Sequence, residues 1–224
     1  MKNLCIALGV FFCLLLCDGL TAAALTPQQV TGIKAARNAS QLIVVLAREG
    51  TEARLAFYEK QGQAWREVFQ ADAYVGRNGL GKEKDGDGKT PVGVFPITLA
   101  FGLAPDPGCA LGYTKIDESH YWVGDSRSPL YNRLVSTRKT GGFSREDSEH
   151  LAEYVRAYQY VLNIGYNAAG KPGLGSAIFL HCAAGYPSTG GGVAIAEEYM
   201  LRLMRAIRPG CKIVIASQEN LGKY

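Results

Sequence analysis

The sequence predicts a mainly β, single-domain fold, and three observations carry that expectation. Apolar, β-branched runs separated by turn residues occur early in the chain, at Leu42–Leu46, Ala53–Glu59 and Trp65–Ala73. The 27 glycines and 12 tyrosines lean the composition toward strands and tight turns. Sustained helical spacing is confined to one segment near the C-terminus. At 224 residues one β-rich domain can bury a sizeable core.

Taken in order, the chain opens with Met1-Lys2-Asn3, an apolar run from Leu4 to Leu16, and the small residues Thr21-Ala22-Ala23-Ala24. That layout is a secretory signal with cleavage near Ala24, and the apolar run is too short to span a bilayer comfortably. The protein is therefore expected to be exported, with no integral membrane domain after cleavage. Residues 25–40 read as a lead-in or tether, with Pro27 suited to a helix start. The domain proper is expected at 41–217, followed by a C-terminal tail at 218–224. Its first three strands form a meander, with turns at Glu49-Gly50 and Gln61-Gly62. A glycine-rich, charged loop runs from Gly76 to Gly88, and a proline-interrupted strand spans Thr90–Ile97, where the prolines imply an edge or a bend. Tyr121–Val123 is a short strand before the polar segment 125–145; Ser148–Tyr154 is a helical turn and Tyr158–Ile164 a strand. Strand Ala177–His181 follows. Val193-Ala194-Ile195 leads into a helix over Glu197–Ile207, where Met200, Leu203, Met204 and Ile207 share a face. The acidic start and basic end of that helix suit its dipole, Pro209-Gly210 stops it, and Cys211–Ile215 is a last strand.

Several function classes are excluded. The net charge of +4 comes without a basic run or aromatic–basic interleaving, so a nucleic-acid partner is not expected. Beyond the signal, Cys109, Cys182 and Cys211 form an odd set with no metal spacing; no disulfide framework, metal or cofactor is implied, although one pair could close in an oxidising compartment. The run Asp85-Gly86-Asp87-Gly88-Lys89-Thr90 begins like a calcium loop but has Lys89 at the fifth place, Thr90 at the sixth and Pro96 where a bidentate Glu is required. The glycines around Gly79 and Gly190 lack the strand–turn–helix context of a dinucleotide site.

The informative stretch is His181-Cys182-Ala183-Ala184-Gly185-Tyr186-Pro187-Ser188-Thr189-Gly190-Gly191-Gly192-Val193-Ala194-Ile195. It resembles the signature of YkuD-type L,D-transpeptidases, in which a strand-ending histidine is followed, after a loop, by Ser/Thr-x-Gly-Cys, a short apolar run and a helix. Two further motifs agree in order: Gly88-Lys89-Thr90-Pro91-Val92-Gly93-Val94-Phe95 resembles the family's Gly-Lys-Thr-Pro-x-Gly-x-Phe, and Gly175–His181 resembles its strand before the histidine. The resemblance implies a twisted β-sandwich or distorted barrel with the 197–207 helix behind the site, extracytoplasmic action on peptidoglycan stem peptides in cell-wall biogenesis, and no cofactor. In such a member a thiolate attacks the carbonyl of the stem's third residue, expels the terminal D-alanine and passes the acyl group to an amine, or to water.

On that pattern His181 is the base, with the Cys182 carbonyl holding its other ring nitrogen in the required tautomer. Gly190 and Gly191 offer backbone N–H groups to an oxyanion, and Tyr186, Ser188, Thr189 and Gly190 line the loop that meets the peptide. Thr189-Gly190-Gly191-Gly192 aligns with the nucleophile tetrad, which puts Gly192 at the cysteine's place. A glycine cannot attack a carbonyl. Losing a nucleophile costs on the order of 10⁴ to 10⁶ in turnover in other hydrolases. Natural inactivity, a substitution peculiar to this copy and a relocated nucleophile all remain open. For relocation, adjacent residues of an extended chain face opposite ways, so Cys182 points away if His181 faces the cleft. Ser188 stands four residues before the nucleophile's place, and its hydroxyl would need strong activation. His120 and His150 sit among polar residues and read as surface or loop positions.

Overall fold

A computed structural model describes residues 25–224; the signal segment 1–24 lies outside the described residues. Twelve strands are present among them: β1 (Gln41–Ala47), β2 (Glu52–Gln61), β3 (Ala64–Tyr74), β4 (Gly93–Gly102), β5 (Tyr113–Lys115), β6 (His120–Trp122), β7 (Leu134–Ser136), β8 (Glu149–His150), β9 (Val161–Ile164), β10 (Phe179–Cys182), β11 (Val193–Ile195) and β12 (Lys212–Ser217). Helix α1 (Pro27–Gly32) precedes them and α2 (Glu197–Ala206) lies between β11 and β12. No helix among the described residues is long and apolar enough to cross a membrane.

The main sheet runs β12-β1-β2-β3-β11-β10-β9-β4-β5, and β12 also pairs with β4. That extra pairing closes eight of the strands into a distorted barrel. Closure is possible because β4 is long and divided: Gly93–Pro96 pair with β12, and the segment from Ile97 to Phe101 pairs with β9 across a register shift between Ile97 and Leu99. Most pairings are antiparallel. The β1–β12, β10–β11 and β4–β5 pairs are parallel, and α2 lies in the chain that connects β11 to β12.

The principal core fills the barrel with Ile43, Leu55, Phe57, Leu180, Ile195 and Ile213, and α2 plugs it with Met200, Leu203 and Met204. The meander and the 197–206 helix follow the sequence expectation closely. The proline-interrupted strand runs Gly93–Gly102 instead of Thr90–Ile97 and is bent between partners on both sides, not at an edge, and Ser148–Tyr154 holds the short strand β8 and a 3-10 turn in place of the expected helical turn. Two further segments differ. The lead-in does not behave as a tether: α1 starts with a Thr26/Gln29 capping box and Pro27, and Leu25, Val30, Ile33 and Ala36 are buried against the outer face of β1 and β2 in a second core. The tail joins the same core through a 3-10 turn, Gln218–Lys223, which buries Leu221, and the Tyr224 carbonyl accepts from the Ala35 N–H. Both strand faces of β1 are buried, so the outer face needs this cover.

A second sheet, β7-β6-β8, stands at one end of the barrel. A third core of Phe101, Trp122, Tyr158 and Phe179 ties it down, with Phe179 meeting Trp122 edge-on at a centroid separation of 4.8 Å and Phe101 at 5.3 Å. Trp122 pairs with Glu149 across β6–β8. This sheet therefore brings the 149–158 segment against the open end of β10.

Candidate active site

Strand β10 has apolar neighbours on its inward side and a cleft on the other, and alternation along it decides two fates. His181 turns to an open cleft of roughly 540 Å³, which is also lined by Tyr186, Ser188, Thr189, Gly190, Gly191 and Gly192. Cys182 turns inward, is fully buried, and its thiol donates to the Tyr160 carbonyl at 3.6 Å. Burial pushes that thiol up to about 12, so it is neither ionised nor aimed at the cleft. Cys211 is likewise buried and pushed up to about 12, burial raises Cys109, and all three cysteines are free.

The His181 Nδ1 lies 2.9 Å from the Cys182 carbonyl oxygen, so Nδ1 carries the proton and Nε2 is left as an acceptor. Burial holds the imidazole below its ordinary value, with the carbonyl bond pulling the other way, and at neutral pH the ring is uncharged. Tyr158 packs its ring edge-on to His181 at 5.8 Å and donates its hydroxyl to Glu149. Burial raises the Glu149 carboxyl to about 7, against the pull of that hydroxyl, and raises the Tyr158 phenol well above its usual range.

The glycine loop is held by hydroxyls rather than by substrate-facing groups. Thr90 is fully buried; its Oγ1 accepts from the Gly76 N–H at 2.8 Å and donates to the Gly192 carbonyl at 2.9 Å. Thr189 donates to the same carbonyl at 2.8 Å and accepts from the Gly191 N–H at 3.1 Å. Two sequence expectations change accordingly. The Gly191 N–H is spent inside the loop and is not open to an oxyanion, and the Thr189 hydroxyl is committed to backbone groups instead of a ligand. The Gly190 N–H has no hydrogen-bond partner among the described residues. Ser188 is half-buried on the cleft wall, and Tyr186 stands at the mouth with 73% of its surface exposed.

Gly192 itself lies beside Phe179 of β10. A Cβ placed there would overlap the Phe179 carbonyl oxygen and lie 3.3 Å from that residue's carbonyl carbon and nitrogen. These are backbone atoms, which cannot swing aside. At Gly191, φ is +149°, and a Cβ would meet the Lys89 carbonyl at 3.0 Å. Both positions are shaped around glycine.

The loop between β3 and β4 supplies the opposite rim. Asp87 accepts from the N–H groups of Glu83, Lys84 and Lys89 and pairs with Lys82 at 2.9 Å, the two side chains being 8% and 3% exposed. Despite its burial, Asp87 is held well below the usual carboxylate range by those backbone donors and the ammonium. The run that begins like a calcium loop is thus a self-contained turn closed by a lysine. Arg77 also lines the cleft and makes no ion pair among the described residues.

His120 and His150 lie away from the cleft: His120 bonds Asp117 at 2.9 Å, and His150 stacks on Tyr121 at 4.5 Å between Glu118 and Glu153. Sequence reasoning missed Glu149 and Tyr158, because the contact joining them to the site comes from the second sheet and leaves no local pattern. It quoted Thr90 within a motif without seeing that its hydroxyl bridges two loops.

The family model of the L,D-transpeptidase catalytic domain, YkuD, matches residues 41–215, well over half of the chain. Among solved structures, similarity extends to Bd1075 of Bdellovibrio bacteriovorus, at 17% identity and a TM-score of 0.42, covering 85% of this chain and 55% of that one. It also extends to the helical cell shape determining protein Pgp2 of Campylobacter jejuni, at 15% and 0.42, covering 80% and 48%. An L,D-transpeptidase from Mycobacterium smegmatis matches at 12% and 0.37, covering 80% and 59%. The chain spans about half the length of these proteins. No curated protein matches. With His181 on strand β10, the glycine loop beside it and a match over residues 41–215, the chain belongs to the YkuD family of L,D-transpeptidase catalytic domains.

Proposed function

We propose that this is an exported, peptidoglycan-directed member of the family that binds stem peptides in the His181 cleft without forming an acyl-enzyme. One observation carries the reading: at Gly192, the nucleophile's place by the motif, the backbone has closed against Phe179 so that even a Cβ overlaps its carbonyl. Among the described residues no other thiol replaces it, since Cys182 is directed into the core and Cys109 and Cys211 are buried. Acyl transfer by thiolate needs an ionisable sulfur within reach of a base, and the cleft holds only the base. What is left suits recognition. The open volume, the free Gly190 N–H, the Arg77 guanidinium for a terminal carboxylate and the exposed Tyr186 ring offer polar and stacking contacts to an extended peptide.

A second reading, an enzyme lacking only its thiol, is favoured by the preserved His181 tautomer, with Nε2 left as an acceptor. The Gly192→Cys variant separates the two. Incubated with muropeptide tetrapeptides, it is expected to bind them, to show no acyl adduct by intact mass, and to be less stable by about 1–3 kcal/mol from overpacking. An acylated variant would overturn the binding-only reading and leave an enzyme one atom group short.

A further inference from the structure

Three large apolar side chains are exposed among the described residues: Tyr154 at 44%, Val155 at 60% and Tyr186 at 73%. They gather at one place, since Tyr154 and Tyr186 both line the His181 cleft and Val155 adjoins Tyr154. Each ring is displayed on an anchored turn. Tyr154 and Val155 belong to the exposed stretch 153–156, held between the buried residues 151–152 and 157–158 and closed by the Tyr158 N–H donating to the Tyr154 carbonyl at 2.8 Å. The Tyr154 ring is backed on one face by the Tyr158 ring, with centroids 4.8 Å apart and planes 27° from parallel, which leaves the opposite face for a partner. Tyr186 lies between Gly185, at φ +90°, and Pro187, whose carbonyl accepts the Thr51 hydroxyl at 2.6 Å. Apolar groups kept in water on fixed turns mark a place of contact.

Their extent and setting decide what they contact. Two rings and one valine expose a few hundred Å² at most, well below the roughly 800 Å² that each partner of a protein interface buries. A pyranose ring is small enough. Its C–H face packs on an aromatic ring while its hydroxyls reach polar groups around the rim, and Glu153 and Arg156 are exposed on either side of Tyr154 and Val155. A stem peptide is a branch on a chain of such sugars, so a peptide lying in the cleft carries its sugar to the mouth. We propose that Tyr154 and Tyr186, with Val155 beside Tyr154, form an aromatic subsite for the sugar ring to which the bound peptide is attached. The inference rests on reading the cleft as a stem-peptide site and assigns the mouth of that cleft to the glycan. The protein thereby distinguishes peptides still joined to the glycan from free ones.

The test is calorimetric titration of the wild type, Y154A, Y186A and Y154F with a stem tetrapeptide and with the same peptide linked to its N-acetylglucosamine–N-acetylmuramic acid disaccharide. The wild type is expected to bind the disaccharide form about tenfold more tightly than the bare peptide, and Y154A and Y186A are each expected to lower that ratio about threefold or more. Y154F keeps the ring face and is expected to keep the ratio. Reading the ratio removes any contribution of Tyr186 to the peptide itself from the comparison. Equal binding of the two ligands by the wild type, or an undiminished ratio in both alanine variants, overturns the aromatic subsite and leaves stem-peptide binding intact. Failure of both ligands to bind overturns the stem-peptide reading and the subsite with it.

Discussion

The two walls of the cleft are built on opposite terms. On the glycine-loop wall nearly every polar group is used internally: Thr90 and Thr189 both donate to the Gly192 carbonyl, the Gly191 N–H returns to Thr189, and the Asp87 carboxylate is saturated by three N–H groups and Lys82. On the wall supplied by the second sheet, Glu149 keeps an unanswered oxygen and a carboxyl raised to about 7. The first wall carries the family's motifs and leaves the Gly190 N–H uncommitted among the described residues; the second carries no motif and holds an ionisable group with an oxygen left unpaired. Most motif residues here fix the backbone.

Breaking the closed wall has the largest expected effect. Asp87→Ala strands a buried ammonium and three N–H groups, and denaturant unfolding should show a loss of about 3–5 kcal/mol. The sign with pH follows from the depressed carboxyl: its contribution is present above the unfolded pKa and is lost as pH falls through the folded one, so the gap between wild type and variant narrows in acid. Thr90→Val keeps the shape but orphans the Gly76 N–H and removes a donor from the Gly192 carbonyl, for an expected loss of about 2–4 kcal/mol. If either variant unfolds like the wild type, the glycine-loop wall is not held as described.

The open wall responds in the opposite sense and more weakly. Because folding raises Glu149 from 4.5 to about 7, the fold favours its protonated form. The stabilisation is full below the unfolded pKa and disappears as pH rises through about 7. Stability measured between pH about 4 and about 8 should therefore decline by on the order of 1–3 kcal/mol in the wild type relative to E149Q. A pH-independent difference would mean that the carboxyl is not buried as described.

The same contrast explains what the sequence could disclose. The meander, the prolines of β4, the α2 spacing and the tautomer-setting Cys182 carbonyl are local or next-neighbour relations, which residue order records directly. The alternation that sends Cys182 to the core is likewise a property of one strand. Burial of residues 25–40 and of Leu221 was not legible, because α1 is too short to display a periodic face and its partner surface comes from β1 and β2. Nor was Glu149, whose place depends on a two-residue strand pairing with β6. The commitment of the Gly191 N–H to Thr189 is a turn-level detail that depends on side-chain rotamer rather than on residue type.

The most direct test is one NMR titration that follows isotope-labelled protein and an unlabelled stem tetrapeptide in the same tube. Saturable shifts at His181, Tyr186 and Gly190, with the peptide's terminal D-alanine signal unchanged over hours, are the expected result. Absent shifts would refute binding in this cleft, and a growing signal of free D-alanine would show that the glycine-lined site still carries out chemistry.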